Sequence, residues 1–478
     1  MRARRTTRVT AGVSTLLLLG ALDALGVGVP PRSGAAVAST LTPAAQAKAA
    51  YDRMTSAQRV GQLFMVGGPV TGLGSATESA IVRYHVGNLV LTGRTTSGAP
   101  PVRALTSHAD VLANASATAS VPLLIATDQE GGYVQVLQGT GFSRMPTALT
   151  QGTWADSALY ASAASWGRQV RRSGVDVDLA PVMDTVAKSF ASSNQPIGRY
   201  EREYGYTPSV VADKGTTFLK AMGASGLAMT AKHFPGLGRV TGNTDTSAGV
   251  TDTVTTRTSG DIAPFRAAVN SGARILMVSS AYYRLIDAAR PAVFSPTVIG
   301  GMIRGDLHFT GIVVSDDLGN AYQVHNWTPA ARAVDFIGAG GDVVLTVNPA
   351  VVPAMVGAVS ARAASDSAFR AKVQTAVLRV LTVKAEYGLL EPRLPITGYL
   401  GPLTTTALQR WLGIARTGTF DRATILALQT RIAGPVVGVW GPRSMAAMQT
   451  YLGMSLDGAT TWNSRTVAQL QRYLNTQL

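Results

Sequence analysis

Eight short apolar runs set the frame for this chain. They fall at residues 63–67, 87–91, 122–127, 175–180, 226–230, 274–278, 311–315 and 342–346. A strand with one face in water alternates polar and apolar residues. These runs are mostly apolar throughout, as strands covered on both faces must be. Between them lie alanine-rich stretches such as 157–172, 209–224 and 261–272, with apolar residues at helical spacing. Gly174, Gly226 and Gly272 each follow a serine where a helix should stop and the next strand begin. Strand, helix, strand repeated eight times is the pattern of a parallel sheet closed on itself. The expected fold is therefore α/β, a (β/α)8 TIM-type barrel over residues 45–390. A helical region at 352–387 should close it.

At 478 residues the chain is too long for one ordinary core, so a second domain is expected. After residues 391–395 the texture changes. Gln409, Gln429, Gln449 and Gln471 recur about every twenty residues, each after a turn and a short helical stretch with Leu or Met beside it. Residues 396–478 thus read as a small all-α repeat domain, with seven Arg against two Asp and several aromatic residues.

The formal charge is +15. No nucleic-acid module and no long basic run beyond the first residues accompany it, so an anionic envelope surface is a better partner than nucleic acid. No cysteine is present, which excludes disulfides, thiolate chemistry and a cysteine-linked lipid anchor. Residues 1–38 have the layout of a secretory signal peptide: four arginines among the first eight residues, an apolar stretch around Leu16–Leu19, then a small-residue run ending Ala36-Val37-Ala38. Asp23 and several glycines interrupt the apolar stretch, which argues against a stable membrane span. The expected location is secreted and cell-wall associated.

Chemistry in a barrel gathers at the carboxyl ends of the strands. The fifth run leads into Ala231-Lys232-His233-Phe234-Pro235-Gly236, expected to place Lys232 and His233 at the strand exit, with the following Pro and Gly residues forcing a tight loop. The seventh leads into Ser315-Asp316-Asp317-Leu318. Two carboxylates after a buried strand are costly unless solvated, paired or used. Successive side chains alternate, so Asp316 is expected to face the mouth and Asp317 to brace or cap. The third leads into Asp128-Gln129-Glu130-Gly131-Gly132, where Asp128 suits two sugar hydroxyls. A metal there would need more oxygen ligands than the sequence gathers, and no cofactor is implied. Asp184 is as good a loop brace as a ligand. Arg199 suits a hydroxyl, an acetamido carbonyl or a carboxylate, or is a solvated surface residue.

Taken together, Asp-Gln-Glu-Gly-Gly at 128–132, Ala-Pro-Val-Met-Asp at 180–184, Ile-Gly-Arg at 197–199, Lys-His-Phe-Pro-Gly at 232–236 and Ser-Asp-Asp-Leu at 315–318 resemble glycoside hydrolase family 3. The nearest branch is the single-barrel β-N-acetylhexosaminidases that act on peptidoglycan-type sugars. The resemblance implies retaining hydrolysis of a carbohydrate substrate, with Asp316 as nucleophile and Asp128, Arg199, Lys232 and His233 as sugar-binding residues. The C-terminal repeats resemble peptidoglycan-binding modules, which implies a wall contact through residues 396–478.

Two departures stand out. The branch carries an Asp-x-His dyad on the loop after Lys-His-Phe-Pro-Gly, whereas here the loop reads Asn243-Thr244-Asp245-Thr246-Ser247. Asp245 is present, but Ser247 replaces the histidine, and a serine cannot cycle protons near neutral pH. Asp245 is thus the candidate acid/base. After Gly132 the branch carries arginines, where this chain has Tyr133-Val134-Gln135-Val136. Two rival readings follow: a non-catalytic or weakly active wall-binding protein with a degenerate barrel, and a β-glucosidase of the same family.

Overall fold

The computed structural model describes residues 41–390, 394 and 396–477, so the expected leader at 1–38 lies outside the described residues. Residues 41–478 group into one compact unit. Eight strands form its centre: β1 (Phe64–Pro69), β2 (Asn88–Thr92), β3 (Leu124–Thr127), β4 (Val177–Asp178), β5 (Ala228–Phe234), β6 (Ile275–Val278), β7 (Ile312–Ser315) and β8 (Val344–Thr346). They pair in parallel in chain order, with β8 returning to β1. A parallel bridge between Val314 and Val343 completes the ring.

Alternation along each strand builds two cores. Met65, Val90, Leu124, Ala126, Ile275, Met277, Ile312 and Val314 pack together inside the barrel. Their neighbours Phe64, Val66, Leu89, Leu91, Ile125, Leu276, Val278 and Val313 join the larger core shared with the surrounding helices. That double coverage is why the runs are apolar at every position.

The helical region after β8 consists of two helices, Val352–Ser365 and Ser367–Glu386. Asp366 separates them by accepting the amide hydrogens of Ala368 and Phe369, an N-cap that starts the second helix. That helix contributes Val380 and Val383 to the inner core. Its Lys384 is fully buried and donates at 2.8 Å to Gln62 Oε1 and to the carbonyls of Gly87 and Pro122. These three acceptors precede β1, β2 and β3, so the helix closes the amino-terminal end of the barrel.

Further on, four helices follow, Pro402–Leu412, Arg422–Arg431, Pro442–Tyr451 and Ser464–Gln477. Leu408, Leu428, Met448 and Leu470 share a core of their own. The recurring glutamines are buried clasps. Gln429 accepts the amide hydrogens of Val437 and Gly438 and donates to Ser444 Oγ at 2.9 Å, on the next unit. Gln409 makes the corresponding bonds to Gly418 and Thr424, and Gln449 to Asp457 and Thr466. Gln471 reaches back to Thr397, Gly398 and Thr404 of the first unit, so the four units close into a ring.

Candidate active site

β5 is longer than its apolar run implies. It continues through Phe234, so Lys232 and His233 are the last strand residues before Phe234 rather than the first residues past the strand's end. The peptides Lys232–His233 and Phe234–Pro235 are both cis, and the pairing with β6 shifts between Ala231 and Phe234.

Lys232 is 2% exposed, which for an ammonium demands counter-charges. It has two: Asp128 Oδ1 at 2.6 Å, just past the end of β3, and Glu130 Oε1 at 2.6 Å. Burial pushes the Lys232 ammonium down, but Asp128 and Glu130 outweigh it and hold it above its ordinary value. Glu130 is clamped from the other side by Arg202, whose Nε and Nη2 both donate at 2.8 Å. Burial raises Glu130, yet Arg202 and then Lys232 bring it down to about 2. Asp178, at the end of β4, is buried in the same neighbourhood. Burial pushes its carboxyl up to about 8, which favours the neutral form.

His233 is held by Asp184, which is 0% exposed. Asp184 Oδ2 lies 2.7 Å from His233 Nδ1, and Asp184 Oδ1 accepts the Leu237 amide hydrogen at 2.9 Å. The carboxylate fixes the proton on Nδ1 and leaves Nε2 for a ligand. Asp184 is therefore a brace.

Across the mouth stands Asp316. β3 and β7 are four strands apart in an eight-stranded ring, which puts Asp128 and Asp316 on opposite sides. Asp316 is half-buried, and one carboxylate oxygen accepts the Asp317 amide hydrogen at 2.9 Å. Asp317 turns the other way and accepts three amide hydrogens, from Gly319, Asn320 and Val347. The two adjacent carboxylates thus divide into one at the mouth and one bracing the loop.

Asp245 belongs to a loop tied to the segment after β7. Its carbonyl accepts the Tyr322 amide hydrogen at 3.1 Å, and the Thr244 carbonyl accepts that of Gln323 at 3.0 Å. One side of Asp245 is open to solvent. On the other, partial burial and then the like charge of Asp316 push its carboxyl up to about 6. The loop after β5 therefore carries an acid raised to about 6 within the electrostatic reach of Asp316, and of His233, Arg202 and Asp128.

Arg199 does not join this cluster. It is exposed, with no side-chain hydrogen bond or ion pair among the described residues. The arginine that enters is Arg202, drawn in by Glu130, and its segment is fixed by buried Asn194. Asn194 accepts the amide hydrogens of Ile197 and Gly198 and donates to the carbonyls of Leu237 and Val240. Glu130, Arg202, Asp178 and Asn194 were not among the residues singled out by sequence. Their one signal was Glu130 within Asp-Gln-Glu-Gly-Gly, a second carboxylate two residues after Asp128 at the end of a buried strand. Where arginines were expected, Tyr133 is exposed and meets Tyr200 edge to face at 5.9 Å.

Among known proteins, residues 55–383 match the family described as Glycosyl hydrolase family 3 N terminal domain. A β-hexosaminidase of Stenotrophomonas maltophilia is 34% identical over 272 residues, 54% of this chain and 77% of that protein. The crystal structure of a β-N-acetylhexosaminidase from Beutenbergia cavernae superposes with a TM-score of 0.69 at 46% identity, covering 70% of this chain and 99% of that one. A family 3 β-N-acetylglucosaminidase from Paenibacillus gives a TM-score of 0.64 at 27% identity, covering 72% of this chain and 64% of that one. With its barrel and ordered mouth residues, the chain belongs to glycoside hydrolase family 3 and is a glycoside hydrolase.

Proposed function

We propose that the protein is a secreted, wall-associated, retaining β-N-acetylhexosaminidase that releases β-linked N-acetylglucosamine-type sugars. The observation that carries this reading is the opposition of Asp316 to the Asp128–Lys232 pair across one mouth, with Asp245 raised beside Asp316. The matched proteins named β-N-acetylhexosaminidase and β-N-acetylglucosaminidase support the choice of sugar.

In the mechanism, Asp128, Lys232 and His233 Nε2 hold hydroxyls of the terminal pyranose. Asp316 attacks the anomeric carbon and the glycosidic C–O bond breaks, leaving a covalent glycosyl ester. Asp245 gives its proton to the departing oxygen. As a carboxylate it then takes a proton from water, which attacks the anomeric carbon and frees Asp316. Ser247 removes the imidazole of the family dyad, so proton transfer falls to Asp245 directly. Its raised value supports that role, since a general acid works best near the operating pH.

Asp316→Asn should abolish hydrolysis of an aryl β-N-acetylglucosaminide, and full retention of activity would remove the assignment. A panel of aryl glycosides separates this reading from a β-glucosidase. The basic, aromatic-bearing ring of repeats supports a tether to peptidoglycan, which would raise the local substrate concentration. A chain ending at Leu390 should lose retention on purified walls while keeping its glycosidase activity. Equal retention by both forms would refute the tether.

A further inference from the structure

The hydroxyl-holding side of the mouth is built, but a glycosidase must also accommodate what it expels. In the mechanism above the sugar spans the mouth between the Asp128–Lys232 pair and Asp316. With Asp245 as proton donor, the leaving oxygen meets Asp245 and the leaving group lies by the loop that carries it. The segment bonded to that loop is Ala321–His325, which follows β7. Tyr322 is bonded to the Asp245 carbonyl through its own amide at 3.1 Å. Tyr322 is nevertheless 53% exposed. Exposed His325 lies against it, with ring centroids 5.1 Å apart. An exposed aromatic ring rooted one hydrogen bond from a proton donor is a surface on which the apolar face of a pyranose can stack. The neighbouring imidazole offers a donor or acceptor to a ring hydroxyl.

We propose that Tyr322, backed by His325, forms the leaving-group subsite and selects glycosides whose leaving group is itself a pyranose. This rests on the assignment of Asp316 and Asp245 above. Tyr322 is a specificity residue: its ring touches the leaving sugar and takes no part in proton transfer.

The test compares two substrates that both need a protonated leaving oxygen but differ in size. One is methyl β-N-acetylglucosaminide, whose leaving group has no ring. The other is the β-1,4-linked N-acetylglucosamine disaccharide. Tyr322→Ala should lower kcat/KM for the disaccharide about tenfold, as expected for one lost ring contact. The methyl glycoside should be unaffected. Tyr322→Phe should keep the disaccharide activity, and His325→Ala should lower it with the same selectivity. Equal loss on both substrates would overturn the proposal, because it would mean that Tyr322 acts by holding Asp245. No loss on the disaccharide would overturn it as well. Wild-type protein that cleaves neither substrate would instead sink the parent assignment of activity.

Discussion

Gln323 and Val250 close a two-bond ring: Gln323 Oε1 accepts the Val250 amide hydrogen at 2.9 Å, and Gln323 Nε2 donates to the Val250 carbonyl at 3.1 Å. Gln323 is 2% exposed. A side-chain amide thus imitates a strand neighbour and pins the end of the loop that carries Asp245. Orientation of an acid is worth a great deal in rate, and a displacement of about 1 Å can cost about 100-fold. Gln323→Ala should therefore lower hydrolysis of alkyl glycosides by about 10- to 100-fold. Glycosides with phenolate leaving groups, which need little protonation, should be spared. Steady-state rates across a series of leaving groups check this.

Asp245 makes its own prediction. Its carboxyl must be protonated when the bond breaks, and partial burial together with Asp316 raises it to about 6. For alkyl glycosides kcat/KM should therefore fall as pH rises through about 6. Asp245→Asn should remove that limb and lower the rate by about 10²–10⁴-fold, the usual contribution of a general acid. The pH–rate profile of the two proteins is the measurement.

Glu130 should link the site to stability. Despite its burial it is held at about 2 by Arg202 and Lys232, below its ordinary 4.5. A depressed carboxyl contributes stability that is fully present above its unfolded value and is lost as pH falls through the folded one. Glu130→Gln leaves Lys232 and Arg202 under-compensated and should cost about 3 kcal/mol at pH 7. The gap from wild type should narrow between pH 4.5 and about 2. Denaturant unfolding at several pH values tests this.

At the far end of the barrel, Lys384 matches all three ammonium hydrogens to oxygen acceptors. Lys384→Met keeps the bulk but strands those acceptors, at about 1–3 kcal/mol for each one left unsatisfied. The thermal midpoint should drop clearly while KM for an aryl glycoside stays unchanged, since no part of the mouth is touched.

The eight strands were legible because both of their faces are covered, which leaves an apolar signature at every position. Asp316 and Asp317 were legible because strand alternation gives adjacent side chains different jobs. Lys232 and His233 were legible as residues of the strand exit, but the full length of β5 was not. A buried charge reads locally as the end of a strand, and only Asp128 and Glu130, about a hundred residues earlier, make it tolerable within one. The same holds for Arg199 and Arg202. Both lie within one short segment, and the choice between them is made by Glu130, 72 residues from Arg202. Local pattern carries no record of such a pair. The split at Asp366 was readable in principle, since aspartate before a helical run is a cap. The short strands at Thr251–Asp252, Tyr282–Tyr283 and Asp287–Pro291, which form a small second sheet, have too few residues to show periodicity. The spacing of Gln409, Gln429, Gln449 and Gln471 showed a repeat. Their role as clasps depends on loops of the next unit, which spacing alone does not place.

The whole mechanism depends on a bond between Asp316 and the sugar. Incubation with a fluorinated N-acetylglucosamine-type inactivator, followed by proteolysis and peptide mass analysis, tests it directly. One glycosyl adduct per chain is expected, on Asp316, and none on Asp316→Asn. An unlabelled chain that still hydrolyses the aryl glycoside, or an adduct on another carboxylate, would contradict it.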